Sequence, residues 1–220
     1  MTSIATRARR SPLRRIAAIL LLAGTPGFLG AQQATVEERL RVTVMTGGLT
    51  PRSAVIVAAS GGGDTRLGAA PAFGLDVQYR AIGRASIYGS ATAAFGTLHH
   101  GTSLGTARET SSDATIFAGT VGVVLAAPSD WFDGAFRPLV RVGAGIKRYG
   151  FSVSGASSFI AGTGDFGLGF RAGSGSVEVG AEVRFLPSAF DQGRLPTQGI
   201  QTREQRQSDL LFGIGVTIRP

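Results

Sequence analysis

The sequence predicts an all-β fold: an eight-stranded antiparallel up-and-down transmembrane β-barrel, preceded by a signal peptide. Three observations predict it. Eight stretches alternate apolar with small or polar residues, the period of a strand that has one apolar and one polar face. The connections between those stretches run alternately long and short. The chain also opens on a basic, then apolar, then small-residue segment of the kind that directs export.

In the opening segment, Arg7, Arg9, Arg10, Arg14 and Arg15 form the basic part and Ile16 to Ala23 the apolar run. Gly24 to Ala31 is rich in small residues. Residues 1–31 are therefore expected to be a signal peptide, with 32–220 a single barrel domain. The eight apolar residues are far short of the ~20 that a spanning helix needs. The 220-residue chain has 22 basic and 14 acidic side chains; without the five arginines of the export segment, 17 face 14, a net +3. The basic balance thus belongs largely to the export signal, and no nucleic-acid partner is expected. With no cysteine, neither a disulfide framework nor a thiolate metal site can form. Glycine is abundant without a collagen-like period. It is poor for helices but permits close approach and bending in strands.

The first strand, 39–49, sets Leu40, Val42 and Val44 against Arg41 and Thr43. A connection rich in Gly, Ser and Thr, 50–70, leads to the second strand, 71–81, where Phe73, Leu75, Val77 and Tyr79 oppose Asp76, Gln78 and Arg80. A tight turn at 82–84 precedes the third, 85–98, with Ile87, Ala91, Ala93 and Phe95 opposite Tyr88, Ser90 and Thr92. A polar loop, 99–112, follows. The fourth strand, 113–127, alternates least clearly, with Phe117, Val121, Val123 and Leu125 against Ile116, Ala118, Thr120 and Val124. A short turn, 128–134, holds Trp131 and Phe132.

The fifth strand, 136–151, places Phe136, Pro138, Val140, Val142, Ala144 and Ile146 on one face and Arg137, Arg141, Lys147 and two glycines on the other. After a loop at 152–162 comes the sixth, 163–172, with Phe166, Leu168 and Phe170 against Asp165 and Arg171. Gly173-Ser174-Gly175 makes a hairpin turn. The seventh, 176–186, alternates Val177, Val179, Ala181, Val183 and Phe185 with Glu178, Glu182 and Arg184. A loop at 187–207 leads to the eighth, 208–219, where Leu210, Phe212, Ile214, Val216 and Ile218 oppose Asp209, Thr217 and two glycines.

Long loops on one side and tight turns on the other, with an even strand count, are the pattern of an outer-membrane barrel. A soluble barrel would turn its apolar face inward. Its outer surface would then be built of Gly, Ala, Ser and Thr, with charged residues only 16% of the chain. The apolar face is therefore expected to meet outer-membrane lipid, with interfacial anchors at Tyr79, Trp131, Phe132 and Phe136. The polar face is expected to fill a narrow lumen with a charge network of Arg41, Asp76, Arg80, Arg141, Lys147, Asp165, Arg171, Glu178, Glu182 and Arg184. The tight 173–175 turn should make Arg171 and Glu178 diagonal neighbours.

With the signal segment, the strand Arg137-Pro138-Leu139-Val140-Arg141-Val142-Gly143-Ala144-Gly145 and the final strand in hand, the chain resembles the eight-stranded outer-membrane barrel proteins, the group of OmpA-like and OmpX-like domains. Gly213, Val216 and Ile218 match the spacing of that group's C-terminal assembly signal. Its terminal aromatic is absent, since the last residues are Ile218-Arg219-Pro220. The resemblance implies the barrel, the cell outer membrane and the barrel-assembly machinery as a partner. Members differ widely in activity.

Candidate chemistry is sparse. Gly162-Thr163-Gly164-Asp165-Phe166-Gly167 fits G-x-G-x-x-G but lacks the strand before and helix after that a dinucleotide site requires. His99 and His100 are adjacent, so on a strand they point to opposite faces. His100 and Ser103 lack the H-x-S spacing of barrel-borne lipid-modifying enzymes, and no acid is placed to orient the histidine. Glu178 and Glu182 would lie ~13 Å apart along a strand, beyond the ~9.5 Å limit of paired-carboxylate glycoside chemistry. No catalytic residue, metal site or cofactor is expected. The reading is a non-enzymatic barrel with an envelope-structural or loop-mediated adhesion and binding role. A narrow, anion-leaning pore is the alternative, and an outer-membrane lipid-modifying enzyme the second alternative.

Overall fold

The computed structural model describes residues 39–52, 54–56, 65–100, 110–127, 136–152, 157–173, 175–190 and 205–219. The chain divides into two units, Met1–Ala34 and Thr35–Pro220. The expected signal peptide lies outside the described residues, as do Trp131 and Phe132.

Ten strands are described: β1 (Leu40–Pro51), β2 (Ala54–Ile56), β3 (Thr65–Leu67), β4 (Ala70–Ile82), β5 (Ala85–His100), β6 (Thr110–Ala126), β7 (Phe136–Phe151), β8 (Phe159–Ala172), β9 (Val177–Phe190) and β10 (Gln205–Ile218). Eight of them, β1 and β4 to β10, pair antiparallel with their sequence neighbours in the wall. β10 returns to β1, from Val42↔Ile218 to Pro51↔Asp209, and closes the barrel. Closure leaves no strand edge unpaired in the wall, which hydrocarbon would not tolerate.

The faces follow the alternation. Val142 and Ile146 on β7 are 53% and 58% exposed, whereas Arg141 and Lys147 between and beside them are 1% and 0% exposed. The same phase holds on β4, β8, β9 and β10, where Phe73, Leu168, Val179 and Ile214 point outward. This outward apolar belt is a surface for lipid, not water. On β6, Phe117, Val121, Val123 and Leu125 are exposed while Ile116, Ala118, Thr120 and Val124 are buried. Its alternation looks weak in sequence because parts of the interior are themselves apolar, so both faces of β6 carry hydrophobic residues.

Two features depart from the sequence reading. The 50–70 connection contains β2 and β3, and β3 pairs with the end of β5 through Thr65↔His100, Arg66↔His99 and Leu67↔Leu98. Runs of three residues are too short to show an alternation, and the pairing of β3 with β5, and of β2 with β3, supplies what local pattern does not. The strands also reach further toward the long loops than the side chains suggest: β5 and β6 pair out to His100↔Thr110, β8 begins at Phe159, and β9 continues to Phe190. Polar residues there join the ladder through their backbones. The wall strands are 12 to 17 residues long, more than the ~9–11 that cross the hydrocarbon.

At the other end the turns are tight. Gly83, Gly173 and Gly175 have φ of 56°, 133° and 78°, values that a side chain rarely permits. Val142→Arg and Val179→Arg should each lower stability by ~2–4 kcal/mol near mid-membrane, whereas Val142→Leu should be neutral. Denaturant unfolding in lipid vesicles checks this, and equal tolerance of all three changes would mean that the belt does not face lipid.

Candidate functional site

The interior is built in layers, because inward side chains from eight strands converge on a lumen only wide enough for the side chains themselves. The central layer is ionic. Arg184 of β9 donates through Nε to Asp165 Oδ1 at 3.0 Å and through Nη2 to Oδ2 at 2.5 Å. The same guanidinium reaches Ser90 at 3.0 Å and Thr120 at 3.1 Å. Arg141 of β7 donates to Asp76 at 2.9 Å and Glu182 at 3.0 Å, and its Nη2 lies 3.4 Å from Asp165. Gln78 steadies Asp76 with a 2.7 Å bond. Arg171 is buried within electrostatic reach of Asp76, Glu178 and Glu182. Three arginines therefore face three carboxylates in this layer.

Glycines make room for it. Tyr88 of β5, Gly122 of β6, Gly143 of β7 and Asp165 of β8 lie in one cross-strand row. The Tyr88 ring lies across both glycines: a Cβ on Gly143 would sit 2.1 Å from its hydroxyl oxygen, and one on Gly122 2.8 Å from its ring. Its hydroxyl thereby reaches Asp165 at 2.8 Å, beside the Thr120 hydroxyl at 2.7 Å. The Arg141 guanidinium stacks 3.9 Å above the ring, an arrangement that favours the cation. Gly167 gives passage in the same way to the stem of Arg141.

Toward the long loops a second layer holds one ion pair, Lys147 with Asp209 at 2.9 Å, both fully buried. It also mends the wall. The β8–β9 ladder jumps from Thr163↔Ser188 to Phe166↔Phe185 around Pro187, which has no N–H to donate. Lys147 Nζ donates to the Leu186 carbonyl at 2.8 Å, and the Thr163 hydroxyl donates to the Pro187 carbonyl at 2.9 Å. Tyr149 and Ser188 hydroxyls share a 2.9 Å bond beside them. Around and beyond this pair the interior is apolar: Met45, Leu49, Leu98, Ile116, Leu186 and Leu211 are among the buried residues that pack into one cluster, with Tyr149 and Phe159 stacked at 4.9 Å.

At the short-turn mouth, Glu178 Oε1 accepts from both Arg137 and Arg219. Arg41 lies within electrostatic reach of the same carboxylate. Between this mouth and the central layer is an internal cavity of about 30 Å³ lined by residues that include Thr43, Asp76, Gln78, Arg171, Glu182 and Thr217. That is room for a water or two.

Of the residues expected in the lumen from sequence, Asp76, Arg141, Asp165, Glu182 and Arg184 meet in the central layer, with Arg171 at its edge. Lys147 lies in the second layer, and Arg41 and Glu178 lie at the mouth. Arg80 does not join them. The β4–β5 register shifts between Arg80 and Ile82, and Arg80 emerges exposed at the turn, where its Nε donates to the Gly83 carbonyl at 2.7 Å. Arg171 pairs across strands with Gly180, which leaves Glu178 diagonal to it, but the hydrogen-bonded partners of Glu178 are Arg137 and Arg219. Sequence reasoning left Asp209, Arg137, Arg219 and Tyr88 out of the charge network. Strand parity marks the first two; Arg219 shares the parity of Thr217 but follows the end of β10.

Of the expected anchors, Tyr79 is exposed and Phe136 stacks on Phe170 at 4.9 Å. His99 is exposed and its Nε2 lies 2.9 Å from the Thr97 hydroxyl; the side chain of His100 and the whole of Ser103 lie outside the described residues. Among the described residues no three His, Cys, Asp or Glu are grouped to hold a metal ion.

Closed eight-strand wall, outward apolar belt and packed ionic interior together define a barrel of the outer-membrane type. Its fold is similar to that of Neisserial surface protein A (NspA), at 12% identity and a TM-score of 0.54 over 82% of this chain and 97% of that one. It is also similar to the outer membrane protein OprG from Pseudomonas aeruginosa, at 14% identity and 0.52 over 82% and 96%. At these identities the likeness is one of fold. No protein-family model matches the chain, and no curated protein matches it in sequence.

Breaking a fully buried pair strands a charge, which costs about 3–5 kcal/mol, whereas replacing both partners with apolar residues need not. Lys147→Met and Asp209→Leu should each destabilise the barrel by that order, and the double variant should cost less than the two summed. Additive losses in unfolding experiments would contradict a direct pair.

Proposed function

We propose that the protein is a non-enzymatic integral outer-membrane barrel with a closed lumen. Residues 1–31 serve as its export signal, 32–220 form its single domain, and its last strand engages the barrel-assembly machinery. Its role is exercised at the long-loop end, in envelope support or in adhesion and binding by what that end displays.

One observation carries this reading: among the described residues, buried side chains from all eight wall strands cross the lumen at several levels. Two ionic layers and an apolar cluster occupy it, and the internal cavity of about 30 Å³ holds no more than a water or two. A solute would have to break several buried ion pairs to pass. The strand extensions toward the long loops, with β3 paired to β5 and β2 to β3, supply a platform at that end. The pore and lipid-modifying readings have no comparable support.

Purified protein reconstituted in planar bilayers is expected to give no stepwise conductance above the lipid background. Sustained, anion-selective steps would replace this reading with the pore.

A further inference from the structure

Among the described residues, interior charge closes layer by layer except at the short-turn mouth. The central layer sets Arg141, Arg171 and Arg184 against Asp76, Asp165 and Glu182, and the next sets Lys147 against Asp209. Among the described residues, Arg41, Arg137 and Arg219 converge at the short-turn mouth on Glu178, three positive charges to one negative.

The mouth is strained electrostatically in other ways. Arg137 and Arg171 stand directly opposite each other on β7 and β8, a like-charge pair that is unfavourable across strands. Both guanidinium groups that bind Glu178 crowd onto one oxygen, Oε1. The Arg219 Nε is buried and has no hydrogen-bond partner among the described residues. The side chains of Arg137 and Arg219 are 21% and 26% exposed, so their charged ends are reached from the aqueous side. Immediately inward, among the described residues, is the water-sized cavity. A ligand that answers this charge stays at the mouth.

We propose that the short-turn mouth is a binding site for a phosphate-class oxyanion, held by Arg41, Arg137 and Arg219. A phosphate group carries about −1.5 to −2 at neutral pH and offers several strong acceptor oxygens, which matches both the excess charge and the idle Nε donor. Guanidinium groups suit it because they recognise oxyanions through paired hydrogen bonds. The phosphate is supplied either free in solution or as the headgroup of an anionic phospholipid.

The test is a denaturant unfolding series on the detergent-purified protein. Inorganic phosphate is titrated at constant ionic strength against a chloride control. A parallel series uses mixed micelles with and without phosphatidylglycerol. A ligand that binds only the folded form raises the midpoint in proportion to the logarithm of its concentration. A phosphate-specific rise identifies a free anion, and a rise with phosphatidylglycerol alone identifies the headgroup. The double variant Arg137→Gln/Arg219→Gln should abolish either rise.

Should that variant fail to fold, Glu178→Gln keeps all the arginines and removes the competing carboxylate. It should tighten the response several-fold. No rise with either ligand, a rise that survives the double variant, or a weaker response in Glu178→Gln would overturn the proposal.

Discussion

The carboxylate of Asp165 is the interaction on which the interior depends. It takes two bonds from Arg184, one from Tyr88 and one from Thr120, and it lies 3.4 Å from Arg141. Those partners come from β9, β5, β6 and β7, so one side chain on β8 ties five of the eight wall strands together. Through Arg141 the link extends to Asp76 on β4. An ionic centre of this kind gains stability only if every member is satisfied, because a single missing partner leaves a charge in a confined, poorly hydrated space. The glycine pair at 122 and 143 is part of the same constraint. Without it the Tyr88 hydroxyl could not lie where Asp165 needs it.

That constraint shapes the rest of the molecule. A wall turned apolar face outward must place its polar residues inward, and an eight-stranded lumen has little room for bulk water. Paired charges and packed apolar residues are the two ways to fill it, and this chain uses both in separate zones. The ionic zone lies toward the short turns and the apolar zone toward the long loops. The break in the ladder at Pro187 falls beside Lys147, where interior donors satisfy the carbonyls of Leu186 and Pro187.

Much of this was legible in the sequence, and the reasons are physical. Period-two alternation reports the face of each residue directly, so Val142 outward and Arg141 inward could be read without coordinates. Alternation also gave the eight wall strands and the tight turns. It does not report how far a strand continues once the alternation stops, and the extensions to His100, Thr110 and Phe190 lie where the pattern marks loops. It is equally silent on a three-residue strand such as β3, whose existence depends on a partner far away in sequence. Arg80 had the right parity but forms the last regular pair before the register shift at the turn, where it bonds to the Gly83 carbonyl instead of entering the lumen. Pairing is the least legible level. Nothing local to Glu178 indicates that Arg219, forty-one residues later, hydrogen-bonds to it, because that contact follows from barrel closure and register.

The central claim is the direction of the faces, and β6 tests it most sharply because its two faces differ least in sequence. The chain has no cysteine, so a single nitroxide label can be placed at Phe117, Val121 or Val123 without altering another site. In lipid vesicles, the account predicts that labels at all three positions collide frequently with dissolved oxygen, which concentrates in hydrocarbon, and rarely with a water-soluble nickel chelate. Frequent collisions with the chelate and rare ones with oxygen would contradict it, since the apolar belt would then face water.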